Sequence, residues 1–167
     1  ALEYAVKAVR LDSSSLQILD TMATIYQMLG RHEDSLSSRL RLHQLYPADL
    51  NTLLAICDSY QRHMEDPAKA AEFAKIAMRV KPEDPRVLDA MGWATYRTGN
   101  VMEGEDFIRK SIRLAPTASA HVHLAQVFMS RSELGKASEQ LRLAEDLAPD
   151  TETKAEIDRL KDDIARS

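Results

Sequence analysis

The sequence predicts an all-α protein, a solenoid of stacked antiparallel helix pairs that is closed by a C-terminal helix. The main observation is a proline that ends four successive segments, at Pro47, Pro82, Pro116 and Pro149. These prolines are 35, 34 and 33 residues apart, and a fixed period of this length indicates a stacked helical repeat. Composition agrees, because only five glycines and 5% aromatic residues leave strands and tight hairpins poorly supplied.

Residues 85–117 show the repeating unit most clearly. Apolar residues recur at helical spacing from Val87 onward until Gly99 and Asn100 interrupt the pattern. Glycine suits the left-handed residue that closes a helix, and asparagine tolerates the turn that follows. A second helical pattern then runs to Pro116, where proline removes a helix donor and ends the helix. The predicted unit is therefore a helix, a tight turn, a second helix and a stop.

The whole chain is predicted to be one domain of such units with two distinct ends. Four units are predicted at 16–49, 50–84, 85–117 and 118–151. Residues 1–15 are interpreted as the second helix of a truncated repeat with an uncovered apolar face, so we expect the native chain to continue upstream. Residues 152–167 carry one narrow apolar stripe in a charged segment, the pattern of a helix that caps a solenoid.

Small and bulky residues recur at matching positions of the four units. The seventh position holds Met22, Ile56, Met91 and Leu124, the eighth Ala23, Cys57, Gly92 and Ala125, and the twentieth Ser35, Ala70, Gly104 and Ala137. Together with the closing prolines, these residues resemble the tetratricopeptide repeat, in a style closest to longer bacterial proteins of that family. The resemblance covers essentially the whole chain and implies a right-handed α-solenoid. Arg39 and His121 depart from it, since both are polar where the family has bulky apolar residues.

Charge and cysteine content exclude several classes of partner. The net charge is -4 with a pI near 5.7, so no basic field attracts nucleic acid. No apolar run approaches the roughly 18 residues of a membrane span, and we expect no direct insertion into a membrane. The one cysteine excludes an internal disulfide framework and leaves the compartment open between cytoplasm and periplasm.

No group of residues in the sequence points to chemistry. His121 and His123 are two residues apart on a predicted helix, so they point to different sides, and no third metal ligand lies nearby. Cys57 occupies a small position between helices and is interpreted as a core residue. We therefore expect no catalytic residue, no metal and no cofactor, and we predict that the chain is not an enzyme.

The resemblance also places a binding surface. In this family the first helices of successive repeats line a concave groove, with positions 2, 5, 9, 12 and 13 facing the ligand. The corresponding residues here include Gln27, Asp58, Gln61, Arg62, Arg86, Asp89, Trp93, Tyr96, Arg97, Gln126 and Met129. Trp93, Tyr96 and Arg97 are residue types enriched at binding hot spots, so we expect Trp93 to be exposed in the groove. The alternative is that Trp93 packs against the next repeat's first helix near Val122.

The favoured functional hypothesis is a protein–protein interaction module, an adaptor or scaffold that holds a peptide or helix of a partner in this groove. Mixed charges in the groove suit a ligand that carries both signs around an aromatic or aliphatic anchor. One alternative is a self-assembling scaffold, a homo-oligomer formed through the uncapped N-terminal half-repeat and the convex surface. Another is a regulatory segment of a larger multidomain protein.

Overall fold

The computed structural model describes residues 15–167. Nine α-helices and no β-strand lie in this part of the chain. The helices are α1 (Leu16–Met28), α2 (His32–Leu45), α3 (Leu50–Arg62), α4 (Pro67–Val80), α5 (Pro85–Arg97), α6 (Val101–Leu114), α7 (Ala118–Ser130), α8 (Leu134–Asp146) and α9 (Thr151–Arg166). The truncated repeat predicted for residues 1–15 lies, apart from Ser15, outside the described residues.

The all-α solenoid predicted from the sequence is confirmed. Helices α1 and α2, α3 and α4, α5 and α6, and α7 and α8 pack as successive pairs. The chain divides into two compact units, a first unit that ends at Pro82 and a second unit that spans Glu83–Ser167. The described part of the first unit contains α1 to α4, and the second unit contains α5 to α9.

The tight turn inside each pair contains a residue with left-handed backbone. Gly30 and Gly99 fill this position with φ values of 69° and 99°, as the sequence predicts. Glu65 and Ser132 fill it in the other two pairs, with φ values of 50° and 59°. A side chain at positive φ is strained, so these two turns are held by the packing of the helices that they join.

A proline follows each helix pair, and the next helix then begins at an N-terminal cap. The Asp49 carboxylate accepts a hydrogen bond from the Thr52 N–H at 2.8 Å, two residues after Pro47. Asp84, Thr117 and Asp150 cap α5, α7 and α9 in the same way. Proline therefore ends one helix, and a short polar side chain satisfies the free N–H groups of the next.

Small residues let paired helices approach closely. A Cβ built on Gly92 would lie 2.8 Å from the Gly104 carbonyl oxygen and from the Ile108 backbone nitrogen. A Cβ on Gly104 would lie 2.7 Å from the Tyr96 backbone nitrogen. Only glycine fits at this crossing of α5 and α6, which explains the small residues at the eighth and twentieth positions of this unit.

The final helix covers the end of the second unit. Ile157 and Leu160 of α9 are buried in a cluster that includes Phe128 and Leu141 of the preceding pair. Helix α9 packs on both α7 and α8, while its remaining surface is polar, as a cap requires. Among residues 15–167, none of the helices is both long and apolar enough to cross a membrane.

His121 lies inside the second unit, at a position where the repeat pattern has a bulky apolar residue. His121 is buried, and its Nδ1 shares a hydrogen bond of 2.8 Å with Oε1 of Gln140 on α8. A hydrogen-bonded histidine therefore replaces the apolar residue of the repeat pattern, at a contact that is closed to solvent.

Candidate interaction surface

The first unit holds four of the predicted groove residues, and most of them bond to one another or to nearby side chains. Asp58 and Arg62 form an ion pair of 2.6 Å one turn apart on α3. The Gln27 side-chain oxygen accepts a hydrogen bond of 2.6 Å from Arg39. Gln61 is buried, and its side-chain oxygen has no hydrogen-bond partner among the described residues. This part of the predicted groove is largely occupied by its own contacts.

Arg39 connects Gln27 to the first helix of the next repeat. Its guanidinium is half-buried and donates to Ser59 on α3 at 3.1 Å as well as to Gln27 on α1. Burial lowers the pKa of Arg39 below its ordinary value, although the charges of Asp58 and Asp20 oppose this shift. The polar residue at a bulky repeat position therefore links the two first helices of the unit instead of reaching freely into water.

The second unit contains a polar cluster between its first helices. His123 on α7 contacts Asp89 on α5, with 2.8 Å between Nδ1 and Oδ1. The Ser119 hydroxyl donates to the other carboxylate oxygen of Asp89 at 3.2 Å. Asp89 and His123 are both buried, so their contact is an internal link between α5 and α7. The predicted groove residue Asp89 is therefore largely withdrawn from solvent.

Trp93 lies against this cluster, and the expectation that it is exposed is wrong. Its ring stacks on the His123 ring, with 4.4 Å between centroids and 8° between planes. It also stacks on Tyr96 at 5.1 Å, and only 7% of the residue is accessible. The flat imidazole of the next repeat's first helix covers the indole, which is the alternative weighed from the sequence.

The residues around Trp93 that remain accessible are Tyr96 and Arg97. Tyr96 is half-buried, and the Arg97 guanidinium is exposed with its carbon 5.6 Å from the centre of the Trp93 ring. Arg86 is also exposed, but it pairs with Asp84 at 3.0 Å beside the N-terminal cap of α5. Arg97 is thus the predicted groove cation that lies directly over the aromatic residues.

Two further groove residues lie on α7. Gln126 is half-buried and donates to Glu156 of the capping helix at 2.8 Å. Met129 is half-buried and packs on the same apolar cluster as Tyr96. The second unit therefore brings together Asp89, Trp93, Tyr96 and Arg97, and it places Gln126 and Met129 on the adjoining helix.

Cys57 has the environment of a core residue, as its sequence position indicates. It is 1% accessible, and its sulfur lies 3.5 Å from the Ala70 carbonyl oxygen. Burial raises the pKa of the Cys57 thiol to about 12, and the charge of Asp58 adds to this effect. The thiol is therefore protonated and unreactive at neutral pH.

Solved structures share this arrangement of helices. TTC0263, a tetratricopeptide repeat protein from Thermus thermophilus, superposes with a TM-score of 0.74 at 19% identity, over 95% of this chain and 88% of that one. Residues 41 to the end of MamA from Desulfovibrio magneticus RS-1 give a TM-score of 0.72 at 17% identity, over 88% of this chain and 83% of that one. The chain has the tetratricopeptide repeat fold.

A third structure with the tetratricopeptide repeat fold is YrrB, described as having an unusual peptide-binding site. It gives a TM-score of 0.66 at 17% identity and covers 95% of this chain and 81% of that one. At this level of identity the three likenesses describe the fold and not the ligand.

Sequence relatives of the chain are longer proteins. The TPR repeat-containing protein PA4667 of Pseudomonas aeruginosa is 33% identical over 58 residues, which are 35% of this chain and 10% of that protein. Protein POLLENLESS 3-LIKE 2 of Arabidopsis thaliana is 25% identical over 141 residues, 83% of this chain and 31% of that protein. The chain thus spans less than a third of either relative, and no protein-family model matches it.

The role of His123 was missed from the sequence, although repeat positions carry a signal for it. Asp89 and Trp93 occupy positions 5 and 9 of their tetratricopeptide repeat, and Ser119 and His123 occupy positions 2 and 6 of the next. In the structure these pairs meet across neighbouring first helices. A comparison of positions 5 and 9 of one repeat with positions 2 and 6 of the next would have placed the His123 ring beside Trp93.

Proposed function

We propose that the chain is a protein–protein interaction module that binds a peptide or helix of a partner on the first-helix face of its second unit. This face is formed by α5 and α7 around Tyr96, Arg97 and Met129. One observation carries the proposal: the exposed Arg97 guanidinium lies over the central ring of a Tyr–Trp–His stack and has no ion pair among the described residues. An accessible cation above ordered aromatic rings is a favourable place for an acidic side chain.

The chemistry of the face favours a ligand with an apolar residue next to an acidic one. Tyr96 and Met129 are half-buried and offer apolar surface that is already packed on the core of the unit. Because that surface is fixed, a ligand side chain can bind there with little ordering of the protein. Arg97 then supplies the charge that selects a carboxylate beside the apolar anchor.

Trp93 acts in this proposal as the support of the face. Its ring is closed on one side by His123, and His123 is fixed in turn by Asp89. A side chain that is held by such contacts keeps Tyr96 and Arg97 in a defined position. The hot spot predicted at Trp93 is therefore moved to its two accessible neighbours.

The proposal draws further support from the fold. Tetratricopeptide repeats stack helix pairs into surfaces that suit extended or helical ligands. The peptide-binding site named for YrrB lies on a protein whose structure covers most of this chain. Action as an adaptor or scaffold belongs to the same proposal. The relatives are much longer than the segments that match this chain, and an interaction module in such a protein can connect its other parts to a partner.

Selection of binders from a displayed peptide library on the intact chain tests the proposal. We expect enriched peptides to share an apolar residue beside Asp or Glu. Arg97→Glu should weaken binding of a selected peptide at least about tenfold, because it replaces attraction by repulsion at the anchor. The matched control is Arg79→Glu, the same change at an exposed position of α4. Equal loss in both variants, or no shared motif, would refute binding at this face.

A further inference from the structure

We propose that the outer face of α6 is a self-association surface, on which α6 of a second copy of this chain packs in the antiparallel direction. The proposal concerns a different face of the second unit from the one assigned to a peptide ligand. It rests on four residues of α6, Met102, Asp106, Lys110 and Leu114, which are called the outer ridge below.

The outer ridge is one continuous row on the helix. Its members are four residues apart, and residues at this spacing form a ridge along the surface of an α-helix. Gly104, Ile108 and Ser111 on the opposite side of α6 are buried, so the ridge points outward. Met102 is 78% accessible and Leu114 is 53% accessible, and both charged members are exposed.

The residue types along the outer ridge match those of a second outer ridge that runs in the opposite direction. The row runs apolar, acidic, basic, apolar from Met102 to Leu114. In an antiparallel pair centred at position 108, Met102 lies opposite Leu114 of the second copy. Asp106 then lies opposite Lys110 of the second copy, and the two-fold symmetry repeats both contacts. A twofold interface requires a surface that complements itself in this way.

A second charged pair follows the same symmetry. Glu103 and Arg113 flank the ridge on α6 and are equally distant from position 108. The two residues, with Asp106, Phe107 and Lys110, line a shallow depression of about 250 Å³ on this face. The acidic half of the face therefore opposes the basic half of the second copy, and the depression offers space for an apolar side chain from it.

The ridge charges contrast with others on the same helix. Glu105 pairs with Arg109 at 2.8 Å and with Arg131 at 2.6 Å within the unit. Asp106, Lys110 and Arg113 have no ion pair or hydrogen bond among the described residues. Complementary charges that remain unpaired in one copy are available to pair across a symmetric contact.

Among the second helices of the described repeats, α6 alone carries this order. The corresponding rows are Glu33, Ser37, Arg41 and Leu45 in α2, Ala68, Glu72, Ile76 and Val80 in α4, and Gly135, Glu139, Leu143 and Leu147 in α8 and its C-terminal cap. None of these three rows places an apolar residue at both ends with opposite charges between. The self-complementary order is therefore a property of one helix and not of the repeat.

The packing of two such ridges also has a common geometry. When i±4 ridges of both helices interdigitate, the axes cross at about 50°, the most frequent class of helix packing. A contact between two single helices is small, so we expect a weak dimer that forms at high protein concentration. Its electrostatic part should weaken as salt is raised.

Sedimentation equilibrium of the intact chain at increasing concentration tests the proposal through charge reversal. The wild-type chain should show a monomer–dimer equilibrium. Asp106→Lys or Lys110→Asp alone should weaken self-association at least about tenfold, because each places like charges opposite one another twice. An equimolar mixture of the two variants should associate again, since each then meets its opposite charge.

Controls make these results decisive. Glu72→Lys on α4 makes the same charge change at an exposed residue and should leave self-association unaltered. The double exchange of Asp106→Lys with Lys110→Asp should restore the dimer. A chain that stays monomeric at all concentrations overturns the proposal. Association that survives both single reversals overturns it as well, because the contact then lies elsewhere, for example at residues 1–14.

Disulfide trapping tests the direction of the contact. Met102→Cys combined with Leu114→Cys should give a covalent dimer on mild oxidation, because these positions face each other across the two copies. Met102→Cys alone should not, since its two copies would lie about 18 Å apart at opposite ends of the contact. Cys57 does not compete, because it is buried and its thiol is protonated. Efficient cross-linking of the single variant would indicate parallel helices and refute the antiparallel dimer.

Discussion

Two regions of the second unit hold their polar side chains in opposite ways. In the cluster of Asp89, Trp93 and His123, each side chain is held by another: the carboxylate bonds to the imidazole, and the indole stacks on it. On the outer ridge of α6, Asp106 and Lys110 are exposed and make no such contact among the described residues. The polar side chains of the inner cluster find their partners within one copy, and in the proposed dimer those of the ridge find theirs in the second copy.

The difference shows how to separate residues that maintain the fold from residues that are available for binding. Burial and internal partners predict a large effect on stability and an indirect effect on binding. Substitution of an exposed side chain without internal partners should have a small effect on stability, so any effect of it on association is direct.

Trp93→Ala should have the largest effect on stability. Removing the indole leaves a cavity between α5 and α7, and a buried tryptophan replaced by alanine costs about 3 kcal/mol or more. Urea unfolding followed by circular dichroism measures the loss. Trp93→Phe, which keeps a ring on His123, should lose clearly less. An unchanged unfolding midpoint for Trp93→Ala would mean that the indole is solvent-exposed, and a red-shifted, readily quenched emission of this single tryptophan would agree.

Gly92→Leu should have the next largest effect. The added side chain would meet the Gly104 carbonyl and the Ile108 backbone at the crossing of α5 and α6, and overpacking of this kind costs about 1–3 kcal/mol. The contrasting change is Gly135→Ala in α8, where a Cβ meets nothing within 4 Å. That change should stabilise the chain by up to about 0.5 kcal/mol, because alanine loses less backbone entropy on folding and Gly135 lies in the first turn of α8. Thermal unfolding of both variants would show shifts of opposite sign; a stabilised Gly92→Leu would contradict the close crossing.

Glu105 gives an intermediate case with a defined pH dependence. Burial raises its pKa, but the hydrogen bonds and charges of Arg109 and Arg131 outweigh burial and leave the pKa below the ordinary 4.5. Its contribution to stability is therefore complete above the unfolded pKa and is lost as the pH falls through the lower, folded pKa. Glu105→Gln should cost about 1 kcal/mol at pH 7, and this difference should shrink under acidic conditions.

Unfolding at several pH values between neutrality and pH ~3 measures that difference. The control is Glu139→Gln on α8, where the partner Arg142 is exposed and water competes for both groups. Its effect should be small at every pH. A Glu105→Gln penalty that stays constant as the pH falls would show that the carboxylate charge is not the cause.

The sequence predicts the fold because its signals are local. Pro116 and the cap at Thr117 end one helix and begin the next within two residues, and Gly99 has the left-handed backbone that its turn requires. Cys57 could be assigned to the core because a small residue recurs at its position in each unit. Such local signals can be interpreted without knowing which residues pack against them in the folded chain.

The state of Trp93 could not be predicted in the same way. Repeat position predicts that the indole lies on the groove side of α5, but its burial depends on His123, which is 30 residues later in the chain. A smaller residue at that place would leave the indole open. Periodicity fixes the side of a helix on which a residue lies, whereas its accessibility depends on a particular neighbour in the next repeat.

Met102→Ser should have the smallest effect on stability and for that reason is the most informative about the ridge. With 78% of Met102 accessible, little apolar surface is lost from the folded chain, and the unfolding free energy should change by no more than about 0.5 kcal/mol. Self-association should nevertheless weaken, because the symmetric contact loses an apolar side chain at both ends. Sedimentation equilibrium and urea unfolding on one sample separate these effects. The control is Met28→Ser in α1, where the residue is 82% accessible, and it should change neither self-association nor the free energy of unfolding. Loss of stability together with loss of the dimer would place Met102 in the fold, whereas loss of the dimer alone places it at the contact between two copies.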